Sequence, residues 1–484
     1  MIALRSAGIL ALFGLSACAS PASAGGPFDL VIAGGRVMDP ESGLDAVRDV
    51  GIAGGTIRAI SASPLRGAAT IDARGLVVAP GFIDLHQHGQ APDSYALKAQ
   101  DGVTSALELE VGTAEVDRWY AEREGKAAVH FGVSIGHIPV RMAVMGDPPR
   151  FLPSAEGKAA REVATPAQVE EMKRRIAEGL RRGAVAVGFG MAYTPAASRW
   201  EVLECFRAAA PFGASCHVHM RHGGTREPNT ALSALEEVLA ASAVTGAPLH
   251  VVHVTSSSGL DTPRVLQVID EARARGLDVT TECYVYTAGM TDISSPIFDE
   301  GFRESRKIDY AQMLWPPTGE RLTAETFAKY RKQGGLVVVF SVPEEAVQAA
   351  VAHPEVMIAS DGLLENGVGH PRNAGCYARV LGRYVREEKR LTLMQAIRKM
   401  SLLPARRLEH HAPMFRDKGR LREGADADVV VFDPATVIDR ATYEKPSEPS
   451  HGIPHVLVGG VPVVRDGKLL PGVLPGRPLR APIR

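Results

Sequence analysis

The feature that most constrains this chain is a series of eight short apolar segments between residues 82 and 361. Stretches with helical periodicity, at 170–182, 234–244 and 264–275, alternate with them. Continuous apolar runs are typical of parallel strands that helices cover on both faces. The eight segments are 82–88, 104–110, 130–136, 184–189, 214–219, 249–254, 278–284 and 356–361. They predict an α/β fold, a (β/α)8 TIM-like barrel, whose functional side chains gather at the carboxyl ends of the strands.

A second domain is indicated by strand patterns at both ends of the chain. Residues 28–39 and 49–60 are β-rich segments broken by Gly-Gly turns, and 427–433 and 455–464 repeat the pattern. We therefore predict a small β-sandwich made of residues 27–80 and 413–484, with the barrel, 81–412, inserted between its halves. Within the barrel, the stretch at about 285–335 exceeds ordinary loop lengths and is predicted to be a functional insertion over the site.

The N-terminal residues form a separate segment. An apolar run at 7–15 ends in small residues, which indicates an export signal too short to span a bilayer as a mature helix. Residues 15–18, LSAC, resemble the bacterial lipobox, in which the Cys, here Cys18, carries the lipid; ASA at 22–24 offers a competing site for soluble export. We expect a signal over 1–24, or 1–17 for a lipoprotein. The protein is then exported and is periplasmic or anchored to a bacterial membrane by an N-terminal lipid.

Charge and cysteine content exclude several partner classes. The 54 Lys and Arg nearly cancel the 55 Asp and Glu, and no basic stripe interleaved with aromatics suggests nucleic acid. The remaining cysteines lie far apart without CxxC spacing, so neither a zinc ribbon nor a redox pair is indicated. They are Cys205, Cys216, Cys283 and Cys376. A small molecule is the expected partner.

Five of the predicted strands end in residues that can bind a metal. His86 and His88 stand two apart on the first strand, so both point to one face, as two imidazoles sharing a metal require. Glu108 and Glu110 repeat this spacing on the second strand, where buried carboxylates need a cation. We favour Glu110 as the ligand, because it lies nearer the carboxyl end, and expect Glu108 to support a ligand.

Three further strands complete this ligand set. His219 ends the fifth strand and is preferred over His217, which we expect to support or pack. His253 ends the sixth strand, and Asp361 ends the eighth, where it could both contact a metal and shuttle a proton.

These residues together resemble the amidohydrolase superfamily and, within it, the N-acyl-D-amino-acid deacylase (D-aminoacylase) family, over essentially the whole mature chain. The motifs that carry the resemblance are GHIPVR at 136–141, GAVAVGFGMAYTP at 183–195, HMR at 219–221, YVYTAG at 284–289, SDG at 360–362, HPR at 370–372 and GRLREGADADVVVFDP at 419–434. The resemblance implies zinc-dependent hydrolysis of a linear amide, most simply deacylation of an N-acyl-D-amino acid.

Carried over to this chain, the resemblance makes His219 and His253 ligands of a tightly held zinc, His86 and His88 ligands of a second site, and Asp361 the catalytic carboxylate. One or two divalent ions are implied. The family's bridging Cys is absent from GVTSALELEVG at 102–112, and Glu110 is our substitute, a harder ligand that leaves manganese or cobalt as alternatives to zinc.

Substrate contacts are less directly indicated. The family's Lys beside the sixth-strand His is absent, since Thr255 lies two residues after His253. We predict that Arg372 clamps a substrate carboxylate, given the bidentate fit of guanidinium to carboxylate, and that Tyr286 orients the acyl group or carbonyl.

Alternatives remain open at this point. A cyclic amidase of the hydantoinase or dihydroorotase type would share the fold and metals, and a peptidase or amidase acting on a bulky N-acyl amino acid fits the divergent second strand. A ligand-binding surface lipoprotein without turnover is the non-enzyme alternative.

Overall fold

The computed structural model describes residues 27–484, in which we number strands β1–β23 and helices α1–α15 in chain order. The predicted export signal and Cys18 lie outside these residues. In the described part of the chain, no helix has the length and apolar character that a membrane crossing requires.

Eight parallel strands form the central sheet and pair in chain order, which confirms the predicted barrel. The strands are β6 (Phe82–Asp84), β7 (Val103–Thr113), β8 (His130–Gly136), β9 (Val187–Gly190), β10 (Cys216–His219), β11 (Leu249–Val251), β12 (Val279–Cys283) and β17 (Val356–Ile358). The first and last strands approach at their carboxyl ends, where the Asp361 N–H donates to the His86 carbonyl at 2.7 Å. The sheet is thereby nearly closed.

Helices surround this sheet, and the three predicted helical stretches correspond to α5, α7 and α9. The helices are α1 (Pro92–Gln100), α2 (Val116–Ala121), α3 (His137–Met145), α4 (Lys158–Arg161), α5 (Pro166–Arg181), α6 (Arg199–Ala209), α7 (Ala231–Thr245), α8 (Val254–Ser258), α9 (Thr262–Ala274), α10 (Phe302–Arg306), α11 (Ala324–Gln333), α12 (Glu344–Ala352), α13 (Arg372–Arg379), α14 (Leu393–Met400) and α15 (Leu402–Leu408), and a π-helical run, Val380–Glu387, continues α13. The start of α5 is fixed by a capping box, in which the Thr165 hydroxyl accepts from the Gln168 N–H.

The β-rich domain combines both ends of the described chain. Its strands are β1 (Phe28–Asp39), β2 (Leu44–Ala53), β3 (Thr56–Ser61), β4 (Gly67–Asp72), β5 (Val77–Pro80), β20 (Val429–Phe432), β21 (His455–Val458), β22 (Val461–Arg465) and β23 (Lys468–Leu469). They form one hydrogen-bonded sheet in which β5 pairs with β20 and so joins the two ends. Side chains from both halves, such as Ile32 and Val431, share one apolar core.

The segment between β12 and β17 forms a subdomain of its own. Its sheet consists of β13 (Gly289–Asp292), β14 (Met313–Trp315), β15 (Glu320–Arg321) and β16 (Leu336–Val339), and a hairpin of β18 (Leu364–Glu365) and β19 (Val368–Gly369) follows the last barrel strand. Helices α10 and α11 belong to this insertion, and Phe302, Phe327 and Trp315 contribute to its separate apolar core. The predicted insertion at 285–335 ends just before β16, which pairs with β13 and extends the subdomain to Val339.

Candidate metal centre

Six side chains converge at the carboxyl ends of the barrel strands. They lie at or near the carboxyl ends of five of them, because parallel strands bring these ends to one edge. The six are His86, His88, Glu110, His219, His253 and Asp361. These are the residues that the sequence singled out as metal ligands, and the structure brings all of them together.

The first group of donors consists of His86, His88, Glu110 and Asp361, whose candidate ligand atoms lie within 4.8 Å of one another. His86 Nε2 is 2.6 Å from Glu110 Oε2. His88 Nε2 is 3.2 Å from Asp361 Oδ1. The two imidazoles therefore turn the same nitrogen toward the two carboxylates.

The second group shares Glu110 with the first. Glu110 Oε1 is 3.0 Å from His219 Nδ1, and His253 Nε2 lies 3.0 Å from the same His219 nitrogen. One carboxylate thus belongs to both groups, which is compatible with the bridging role that we predict for Glu110.

Two of the six residues have an unusual backbone. His253 has φ of 32° and Asp361 has φ of 53°, both in the left-handed region that residues other than glycine rarely adopt. Such a conformation costs on the order of 1–3 kcal/mol and is concentrated at functional sites. At His253 it ends β11 and lets α8 begin at Val254, so that the imidazole projects from the edge of the sheet.

Neighbouring groups hold the histidine rings in orientation. His86 Nδ1 lies 2.7 Å from Glu282 Oε1, His88 Nδ1 lies 2.6 Å from Glu108 Oε2, and His253 Nδ1 lies 3.1 Å from Ser257 Oγ. In each ring the outer nitrogen is engaged and Nε2 faces the centre, as in known metal-binding histidines. Glu108 therefore supports His88, as expected.

Glu282 was not predicted from the sequence as a site residue. It stands in β12, which carries no predicted ligand, and its only signal is a carboxylate within a predicted barrel strand.

Electrostatics at the site favour a cation. Burial opposes a charge on His86, but the charges of Asp361 and Glu110 outweigh it and raise the pKa of His86 to about 10. Burial and His253 lower the pKa of His219 to about 4, which keeps this imidazole neutral. Burial also opposes ionisation of Asp361, yet the Arg372 guanidinium holds the pKa of that carboxyl well below its usual range. The field that would protonate His86 equally favours a bound metal ion.

The donor set fits one or two divalent ions. Imidazole nitrogens and carboxylate oxygens suit zinc, and they also accept manganese or cobalt. Within residues 27–484, no other group of three or more His, Cys, Asp or Glu side chains has this spacing.

Arg372 reaches the centre and Tyr286 does not. Arg372 is buried, and its Nη2 is 3.0 Å from Asp361 Oδ1. The Tyr286 hydroxyl instead points at Asp439, 3.5 Å away, and lies outside the cavity above the metal centre. Tyr284, two residues earlier, lines that cavity, and its ring covers the Arg372 guanidinium at 4.5 Å.

His217 lies below the centre. Its Nε2 is 3.0 Å from Ser215 Oγ, and it belongs to neither donor group. The preference for His219 over His217 therefore agrees with the geometry.

The cavity above the metal centre lies between the barrel and the insertion. Phe151 and Leu152 line it from the barrel side, and Ile297, Phe298 and Arg306 line it from the insertion. It thus combines apolar walls, suited to a small organic molecule, with two cations, Arg306 and Arg372.

The arrangement has counterparts among known proteins. The model of the amidohydrolase family matches residues 69–126 and 139–464. N-acyl-D-glutamate deacylase of Alcaligenes xylosoxydans xylosoxydans is 34% identical, over 93% of this chain and 96% of that protein.

Solved structures also resemble the structure of this chain. That of N-acyl-D-glutamate deacylase from Bordetella bronchiseptica, with zinc and a phosphonate mimic of the tetrahedral intermediate, has a TM-score of 0.80 and 30% identity, covering 94% of this chain and 100% of that one. A structure of D-aminoacylase that addresses its binuclear metal centre has a TM-score of 0.79 and 28% identity, with the same coverage. With a family model matched over most of its length and a relative above 30% identity, the chain belongs to the amidohydrolase family.

Proposed function

We propose that this protein is a metal-dependent deacylase that hydrolyses N-acyl-D-amino acids to a carboxylate and a free amino acid. The observation that carries the proposal is the position of Asp361, which belongs to the first donor group and also contacts the buried guanidinium of Arg372. A carboxylate there can serve both hydrolysis and substrate binding. The linear substrate and its D configuration are supported by the names of the relatives.

The ions would be held by the two donor groups, with zinc the first candidate. His219 and His253 with Glu110 would form one position, and His86 and His88 with Glu110 and Asp361 the other. When bound, a divalent ion polarises the substrate carbonyl and lowers the pKa of a nearby water.

Asp361 is placed to move the proton. Its depressed pKa keeps it ionised at neutral pH, so its carboxylate can accept a proton from the water that attacks the amide carbon. As the C–N bond breaks, the same carboxylate can return that proton to the departing amine nitrogen. The net change is addition of one water across the amide bond.

Arg372 is suited to the α-carboxylate of the substrate. Nη2 contacts Asp361, while Nε and Nη1 are buried without a hydrogen-bond partner among residues 27–484. Buried donors without partners are costly, and a substrate carboxylate would satisfy them. The ring of Tyr284 against the guanidinium limits its movement.

Arg306 favours a second acidic group on the substrate. This residue ends α10 of the insertion and lines the cavity above the metal centre. Burial lowers the pKa of Arg306, so its charged form would gain from an acidic partner in the cavity. We therefore place N-acyl-D-glutamate and N-acyl-D-aspartate ahead of neutral substrates.

The test is a substrate panel with the purified protein and metal analysis. N-acetyl-D-glutamate, N-acetyl-D-leucine, N-acetyl-L-glutamate and a hydantoin are compared by amine release. We expect the D-glutamate derivative to be turned over fastest and the L-isomer least. Preferential opening of the hydantoin would contradict the proposal and favour the cyclic amidase.

Arg306→Met separates side-chain recognition from catalysis. Loss of the cation should lower kcat/KM for N-acetyl-D-glutamate by about 100-fold, which corresponds to about 2.7 kcal/mol, and change N-acetyl-D-leucine hydrolysis little. Equal losses on both substrates would show that Arg306 does not select the acidic side chain.

We also propose that the protein is exported and carries a lipid at Cys18. The proposal is supported by the apolar run at 7–15 and the LSAC sequence before residue 19. Wild type and Cys18→Ser would be compared by membrane fractionation and by the mass of the mature N-terminus. Membrane attachment of the Ser variant would contradict lipidation.

A further inference from the structure

The barrel interior directly beneath the metal centre is polar. Side chains alternate along β10, β11 and β12, and one set, such as Val218, Leu249 and Val279, packs outward against the helices. The inward residues just below the strand ends are not the branched apolar side chains that usually fill such barrels. They are His217, His250, Thr280 and Glu282. Burying these groups is unfavourable unless they are paired.

These polar groups form a chain that ends on a proposed metal ligand. Glu282 Oε1 is 2.7 Å from His86 Nδ1, and Glu282 Oε2 is 3.3 Å from His250 Nε2. His250 Nδ1 in turn lies 2.8 Å from Thr280 Oγ1. Glu282 and His250 are both fully buried.

His250 and Glu282 depend on each other. Glu282 Oε2 and His250 Nε2 lie 3.3 Å apart, within ion-pair distance, and neither atom forms a hydrogen bond of normal geometry among residues 27–484. If the Thr280 hydroxyl donates to His250 Nδ1, the remaining proton of the neutral ring sits on Nε2 and points at Glu282. The second carboxylate oxygen is then free to accept from His86.

We propose that Glu282 and His250 act as one unit that positions His86. Glu282 accepts from His86 Nδ1, which fixes the tautomer with a free Nε2 directed at Glu110 and Asp361, and His250 fixes the carboxylate of Glu282. The pair touches neither substrate nor the reacting atoms, so these are positioning residues. The proposal rests on the proposed metal centre and is independent of which amide is hydrolysed.

The test measures zinc affinity by chelator competition, the visible spectrum of the cobalt-substituted protein, and kcat and KM. Glu282→Leu removes the acceptor and should weaken zinc binding by about 10- to 100-fold and lower kcat more than it changes KM. Glu282→Gln keeps an acceptor for His86 and should recover most of the affinity. Thr281→Val is the control for the loss of any buried polar group from β12, because the Thr281 hydroxyl donates to the Val251 carbonyl. This variant should bind zinc as tightly as the wild type.

A double-variant comparison of zinc affinity tests whether Glu282 and His250 act together. His250→Phe should also weaken zinc binding, and Glu282→Leu/His250→Phe should bind zinc within about threefold of Glu282→Leu, because residues of one network are not additive. Fully additive losses of zinc affinity would contradict the proposal that Glu282 and His250 act as one unit.

Glu282→Asp keeps the proposal testable if Glu282→Leu fails to fold. It stays acidic but is one carbon shorter, so it should alter the cobalt spectrum in a folded protein. An unchanged spectrum and unchanged zinc affinity in folded Glu282→Asp or Glu282→Leu would overturn the proposal. Turnover of no substrate on the panel, with the zinc losses as expected, would contradict the deacylase function alone.

Discussion

At the scale of single residues, Asp361 connects the candidate metal centre to the buried guanidinium of Arg372. Its Oδ1 lies 3.2 Å from His88 Nε2 and 3.0 Å from Arg372 Nη2. Its backbone N–H is fixed by the His86 carbonyl, so the side chain has little freedom. If the proposed function is right, the main contribution of Asp361 is proton transfer in general acid–base catalysis.

Asp361→Asn tests this role. Asparagine keeps the size and one oxygen of the carboxylate but cannot accept the proton from water. We expect the variant to retain zinc while kcat falls by about 10²- to 10⁴-fold, the range of general acid–base contributions. Inductively coupled plasma analysis and steady-state kinetics measure the two effects, and near-normal turnover would exclude Asp361 as the proton carrier.

Glu110→Ala tests the bridge. Because Glu110 belongs to both donor groups, its loss should reduce zinc content at both positions. The bound metal per chain after dialysis against a weak chelator is the measurement. Retention of two ions in Glu110→Ala would show that the groups do not share this ligand.

Alternation along strands explains which site residues the sequence could predict. His86, Glu110 and His219 were identified because they stand at the ends of apolar runs. Tyr286 was expected to contact the substrate, but it does not line the cavity. It follows the end of β12 at Cys283, and beyond a strand the alternation of side chains no longer determines where they point. Glu282 was not predicted because its role depends on contact with His86, which lies 196 positions away in the sequence.

At the scale of elements, apolar runs predicted all eight barrel strands but not their ends. The first strand stops at Asp84, before the histidines, and the sixth stops at Val251, because His253 turns into the left-handed region. The pairing of β5 with β20 could not be derived from local pattern, since it joins segments about 350 residues apart. Only the matching strand patterns at both ends of the chain indicated it.

A buried cluster of charged and polar side chains around Asp428 connects the start of β20 to the barrel. Asp428 precedes β20 and contacts Lys418 Nζ at 2.7 Å and His130 Nε2, at the start of β8, at 3.0 Å. Burial opposes its charge, but Lys418 and His130 hold the pKa of Asp428 well below its usual range. Removing one partner of such a pair leaves an uncompensated buried charge.

Asp428→Asn should therefore lower the free energy of unfolding by about 3 kcal/mol at pH 7. Because the folded-state pKa lies below the unfolded value of about 3.9, the unfolded chain takes up the proton first, and the contribution is lost as pH falls below about 4. Urea unfolding at pH 7 and pH 3 should show the gap between variant and wild type shrinking. Asp426→Asn, an exposed partner of the same Lys418, is the control and should change stability by less than about 1 kcal/mol. A gap that stays constant with pH would contradict the assignment.

At the scale of the whole molecule, the final residues close the end of the barrel opposite the metal centre. The Leu479 N–H donates to the Phe131 carbonyl at 2.7 Å, and the Leu479 carbonyl accepts from the Tyr120 hydroxyl at 2.6 Å. Leu479 and Ala481 are buried in a cluster with Leu107 from inside the barrel. The sequence did not predict this contact, because the proline-rich segment after residue 470 has no periodicity.

Leu479→Ala tests whether this closure stabilises the barrel independently of the metal centre. Leu479 is 2% exposed, and truncation of a buried leucine costs about 2–5 kcal/mol, in part because a cavity remains. Leu474 lies in the same segment but is 41% exposed, so Leu474→Ala should change stability by less than about 0.5 kcal/mol. Thermal unfolding of both variants measures the difference. Zinc affinity and kcat below the melting range should match wild type in both, because the contact lies at the opposite end of the strands. A Leu479→Ala protein that unfolds like Leu474→Ala would show that the barrel does not depend on its C-terminal segment.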